Sequence, residues 1–136
     1  MHTFNDENDE NLRNPAHIGW FKPLKWNHAC FDALYRVSRD KLRVVQITVA
    51  SSHSSKLKYL VDYVRTMEVS EIEFVVVCRR KNFDSFKVFD PTTSKSGKEI
   101  EQYKLLLEAL NKNCVTLKRK KTELTKLSFQ KVCYEK

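Results

Sequence analysis

Leu42-Arg43-Val44-Val45-Gln46-Ile47-Thr48-Val49-Ala50, running into Ser51-Ser52-His53-Ser54-Ser55, is the stretch that decides the fold. Its β-branched residues alternate, Val45, Ile47 and Val49 on one face against Val44, Gln46 and Thr48 on the other, which is the period of a strand. The serine-rich segment supplies N-cap side chains for a helix over 56–67, where Leu57, Leu60, Val61, Val64 and Met67 recur at three- and four-residue spacing. Ile72-Glu73-Phe74-Val75-Val76-Val77-Cys78 follows as an apolar run of the kind buried between layers. Strand, helix and buried strand in that order predict a crossover connection.

Upstream, Cys30-Phe31-Asp32-Ala33-Leu34-Tyr35-Arg36-Val37 is strand-like, and Ser38-Arg39-Asp40-Lys41 turns it into the deciding strand as a hairpin. Before it, Gly19-Trp20-Phe21-Lys22-Pro23-Leu24 is an extended aromatic segment. Downstream, Phe86-Lys87-Val88-Phe89 reads as a short strand ended by Asp90-Pro91. A second helix over 98–110 places Ile100, Tyr103, Leu106, Leu107 and Leu110 on one face, and Leu127 to Val132 reads as an edge strand. The expected architecture is α/β, one mixed sheet with helices packed upon it.

At 136 residues the chain supports a single core. Residues 1–17 are acidic, Asn-rich and nearly free of large apolar side chains, so they are expected to form a disordered leader to a domain over 18–136. The chain has only two glycines, Gly19 and Gly97, which excludes the clustered glycines of dinucleotide folds, P-loops and nucleophile elbows. Ser94-Lys95-Ser96-Gly97-Lys98 imitates the end of a P-loop but lacks its first glycine, and reads as a polar turn before a helix.

The net charge of +8 is unevenly spread: residues 1–17 carry −3, residues 112–136 carry +6 and the remainder +5. Lys118-Arg119-Lys120-Lys121 concentrates charge suited to polyanions, or simply to a solvated face, and it also suits a nuclear localisation patch. Cys30, Cys78, Cys114 and Cys133 are too widely spaced for a structural zinc site, and Cys30 and Cys78 read as buried thiols of a reducing compartment. The longest apolar run, Phe74 to Cys78, is five residues, short of a signal peptide or membrane span. An intracellular protein without membrane partners is expected, and neither the glycine content nor the cysteine spacing points to a small-molecule cofactor.

The sharpest local feature is an aspartate in an apolar strand segment, Asp32, followed fourteen residues later by Gln46 and Thr48 on one strand face. A hairpin turning near 38–41 brings Asp32 towards Thr48 and gathers three polar groups at one sheet edge. Carboxylate and amide oxygens there suit a hard divalent cation such as Mg²⁺, with Asp32 and Gln46 as ligands. The alternative is an aspartate capping a loop beside two polar residues of a half-solvated strand.

Gly19 to Leu24, Phe31 to Tyr35, Val44 to His53 and Ile72 to Val77, in that order, resemble the C-terminal module of the retrotransposon hot spot proteins of trypanosomes and the related Crinkler effectors. The resemblance covers residues 18–90. It implies the PD-(D/E)xK restriction-endonuclease-like fold, with Asp32 at the motif aspartate, Gln46 at the second ligand, and Thr48 where an active nuclease carries lysine. Two of the three positions are therefore neutral, which implies weak Mg²⁺ binding and diminished catalysis. His53, Lys56 and Lys58 are the candidates to replace the missing lysine; otherwise His53 caps the helix and the lysines are solvated. Longer family members carry a P-loop ATPase region before this module, so the chain is expected to be a fragment or a short stand-alone copy.

The leading expectation is a catalytically degenerate nuclease-fold module, located in the nucleus, that binds DNA, RNA or chromatin-associated proteins through a basic surface. The competing expectations are an active Mg²⁺-dependent endonuclease and a protein-interaction module without nucleic-acid binding.

Overall fold

Burial alternates along Lys41–Ile47: Leu42, Val44 and Gln46 are buried, while Ile47 on the other face is exposed. This strand, β4, sits inside a six-stranded sheet in the computed structural model, which describes residues 1–24, 31–48, 57–87, 97–116 and 127–134. The strands are β1 (His2–Phe4), β2 (Gly19–Pro23), β3 (Ala33–Arg36), β4, β5 (Glu71–Arg79) and β6 (Leu127–Tyr134). They lie side by side in chain order. β2, β3 and β4 pair antiparallel, whereas β1–β2, β4–β5 and β5–β6 are parallel. The class is therefore α/β with a mixed sheet.

The helices are α1 (Glu10–Arg13), α2 (Leu60–Met67) and α3 (Gly97–Thr116). Two crossovers, β4–α2–β5 and β5–α3–β6, step the same way across the sheet, so a common right hand leaves both helices on one face. The core agrees: Leu60, Val64 and Met67 of α2 and Leu106 and Leu110 of α3 share one cluster with Val44, Ile72, Phe74 and Leu127. On the opposite sheet face the nearly buried Glu73 holds Arg43 at 3.1 Å and Lys41 at 3.7 Å, and accepts a hydrogen bond from Gln130. Arg43 also lies over the ring of Tyr35, itself edge-on to Trp20.

Three expectations need correction. Residues 1–17 are not a disordered leader: β1 pairs with β2, and Phe4 and Leu12, two of the few apolar residues in the segment, are both buried in the common core. Asp9 caps α1 by accepting from the Asn11 amide, and that backbone hydrogen bond holds its carboxyl below the ordinary value. The helix expected over 56–67 begins as a 3-10 turn at Leu57–Tyr59, and the second helix runs on to Thr116. Finally, Phe86 and Lys87 lie outside any strand; the Phe86 ring is buried in the core, and the rest of that expected strand lies outside the described residues.

Glycine would ordinarily end α2, but Glu68 occupies the left-handed C-cap position at φ 54°. The carbonyls there find partners from afar. Asn113 Nδ2 donates to Val64 O at 3.0 Å and Val69 O at 2.9 Å, and Arg36 donates to Met67 O at 3.1 Å.

Candidate functional site

Parallel pairing brings the carboxyl ends of β4, β5 and β6 to one end of the sheet, with the amino end of the antiparallel β3 beside them. Asp32 precedes β3 there. The register sets Ala33 opposite Val45, so Asp32 meets Gln46 and Ile47 instead of Thr48. Its amide donates to Val45 O at 2.8 Å, and its carboxylate Oδ2 accepts from the Ile47 amide at 2.6 Å. The carboxylate thus substitutes for a backbone acceptor where the β3–β4 ladder ends. This is a capping role.

Gln46 lies on the helix-facing side of β4, 7% exposed, and its Oε1 is buried without a hydrogen-bond partner. Thr48 continues the ladder towards β5, its amide donating to Val77 O at 2.9 Å. Lys58 is exposed, its amide donating to Gln102 Oε1 and its ammonium 5.1 Å above the Tyr59 ring. His53, Lys56 and Lys118 to Lys121 lie outside the described residues.

These donors do not fit Mg²⁺. One carboxylate oxygen is committed to a backbone amide, the second donor is a neutral amide on the helix-facing side, and hard cations need several oxygens with compensating negative charge. Among the described residues no group of three or more His, Cys, Asp or Glu side chains converges as a metal site.

Two features at this end escaped the sequence reading. Lys131 shares a cross-sheet row with Val76 and Gln46, on the helix-facing side and about 10 Å from Gln46 by strand spacing. Its ammonium donates to Phe83 O at 2.6 Å and Phe86 O at 3.2 Å, and lies 4.8 Å from the Phe83 ring. It fastens the segment after β5 to the sheet. The signal was the period-two run Leu127, Phe129, Lys131, which places the lysine on the inward face. The second feature is that segment itself, where Arg79, Arg80, Lys81 and Lys87 are exposed with Asp84 as the sole acid among residues 79–87. A pair of arginines directly after an apolar strand was the legible sign.

A groove of about 410 Å³ between the carboxyl end of α2 and α3, lined by Arg65, Glu68, Leu105 and Lys112 among others, contains none of the sequence-derived site residues. It lies towards the other end of the sheet, where Asn113 meets Val69 at the entry to β5. Its two signs of charge are mixed.

The unpaired oxygen of Gln46 makes a prediction. Gln46→Met keeps the volume and deletes the buried acceptor, so the urea unfolding midpoint should rise, by about 1 kcal/mol of stability. A loss of stability would show that the amide is satisfied and structural. No family model, curated protein or solved structure matches this chain.

Proposed function

We propose that this chain is a module of the retrotransposon hot spot and Crinkler type, with a restriction-endonuclease-like fold, that has lost catalysis and binds nucleic acid through basic side chains. One observation carries the reading: the motif carboxylate Asp32 is spent on the Ile47 amide, while cations crowd the same end of the sheet. The order of three antiparallel strands, a helix and a parallel strand is the element order that the resemblance implies. Arg79, Arg80, Lys81 and Lys87 provide a phosphate-binding edge, and the run Lys118, Arg119, Lys120 and Lys121 is the second basic stretch of the proposal. A nuclear site and chromatin-associated partners belong to the same proposal.

Binding of a short DNA duplex and of a single-stranded RNA, followed by fluorescence anisotropy across a KCl series, tests it. The slope of log K against log salt should be about −3 to −4 if four cations meet phosphate on the duplex. Arg79→Ala, Lys81→Ala and Lys87→Ala together should flatten it by about 2 to 3. A salt-independent signal, or none, sinks nucleic-acid binding and leaves a protein-interaction module. Plasmid nicking with Mg²⁺ or Mn²⁺ should match the Asp32→Ala variant; metal-dependent cleavage lost in that variant overturns the degenerate reading.

A further inference from the structure

We propose that Cys78 and Cys133 are a thiol modification site, closed to a reversible disulfide by an oxidant of the peroxide class. The two residues are register partners on the adjacent parallel strands β5 and β6. Side chains of in-register partners leave the sheet on the same face, and a strand spacing of about 4.8 Å falls within the Cα separations that disulfides span. The Cys78 thiol already reaches towards β6, its Sγ 3.6 Å from Val132 O, the carbonyl of the residue preceding Cys133. β6 is the last strand of the sheet, with no neighbour on its outer side among the described residues, so it can close the remaining gap by a small lateral shift.

Accessibility divides the roles. Cys133 is exposed and meets the oxidant; Cys78 is wholly buried and meets only its neighbours. The Cys133 thiolate attacks one peroxide oxygen, the O–O bond breaks, and a sulfenic acid forms as the leaving hydroxide takes up a proton and departs as water. The Cys78 sulfur then attacks the Cys133 sulfur, the S–O bond breaks, and a second water leaves with the Cys78 proton. Two thiols and one hydrogen peroxide yield one disulfide and two waters, with two electrons passing from sulfur to oxygen. Cys114 does not compete, since it is buried on the last turns of α3, near the Asn113 contact with Val69 at the opposite end of the sheet from Cys78.

The site stands apart from the nucleic-acid reading, and so does its test. The full chain is treated with hydrogen peroxide under native conditions, remaining thiols are alkylated, and the digest is examined by mass spectrometry. A peptide linking Cys78 to Cys133 is expected, released by dithiothreitol, abolished by Cys133→Ser and retained in Cys114→Ser. Cys133 is exposed, so its serine variant tests the chemistry without disturbing the core. Sulfinic acid at Cys133 beside an alkylatable Cys78 overturns the proposal. So do a Cys133 link between two chains, a link to Cys30 or Cys114, and the absence of any oxidation.

Discussion

Arg36→Met should cost about 3 to 6 kcal/mol, enough to leave a domain of ordinary stability largely unfolded at room temperature. Arg36 is fully buried on the helix-facing side of β3, directly beyond Leu34. Its guanidinium donates to Arg39 O and Leu12 O, both at 2.9 Å, and to Met67 O at 3.1 Å. One side chain thereby joins the β3–β4 turn, α1 and the carboxyl end of α2. The positive charge also opposes the negative end of the α2 dipole. Deleting it strands two carbonyls in the core, Leu12 O and Met67 O, each costing about 1 to 3 kcal/mol unless water enters, and frees a third, Arg39 O, at the part-buried turn. Lysine restores the charge but not the planar fork, so Arg36→Lys should fall between the two, nearer to methionine. Urea unfolding followed by circular dichroism measures all three proteins. A loss below about 1 kcal/mol for Arg36→Met would mean that water replaces the guanidinium, and the joining role would be lost.

Arg36 also explains how α2 ends without a glycine. The usual device is a glycine in the left-handed conformation; this sequence places Glu68 there and routes distant donors, Arg36 and Asn113, to the carbonyls around it. Such donors are invisible to local pattern reading, because the carbonyls of Leu12 and Met67 are 24 and 31 residues away from Arg36 in sequence. Period-two counting does put Arg36 on the face of Leu34, but it cannot say that a buried charge finds acceptors. Local patterns were sufficient where one element decides its own burial. β5 and the apolar stripes of α2 and α3 fall where their patterns place them, whereas β4 keeps the expected period of two but buries the face of Leu42, Val44 and Gln46 and leaves Ile47 of the β-branched face exposed.

Asp32 and Gln46 show the same boundary within the candidate site. Spacing brought them to neighbouring positions across the hairpin, and the register agrees to within two residues of the expected pairing with Thr48. What spacing could not show is which way each group is committed. A single amide, that of Ile47, claims one oxygen of Asp32, and the helix layer claims the side chain of Gln46. The two polar residues are therefore neighbours across the hairpin whose side chains have different commitments. The basic segment after β5 went unremarked for a different reason. Its four cations are diluted in any whole-chain charge count and gain meaning only when the strand ends converge.

Phe4→Ala should cost about 3 to 5 kcal/mol, a large effect for a residue in a segment whose composition is that of a disordered leader. The ring is 1% exposed, 5.8 Å edge-on to Tyr63 and 6.3 Å from Phe31, and Phe4 O accepts from the Leu24 amide at 2.8 Å. Alanine keeps that backbone bond and removes the ring, so the loss reports the cavity left between β1, α2 and the approach to β3. Composition misjudges this segment because it averages over seventeen residues, whereas burial needs only Phe4 and Leu12 at positions that β1 and α1 bring against the core. Thr3→Ala, in the same short strand but with an exposed side chain, is the matched control and should change stability by less than about 0.5 kcal/mol. Thermal and urea unfolding of the pair separates the alternatives. Equal and negligible effects at both positions would mean that the segment is detached in solution; a large loss at Phe4 alone means that residues 1–17 belong to the packed domain, and that β1 shields the edge of β2 which their removal would lay open.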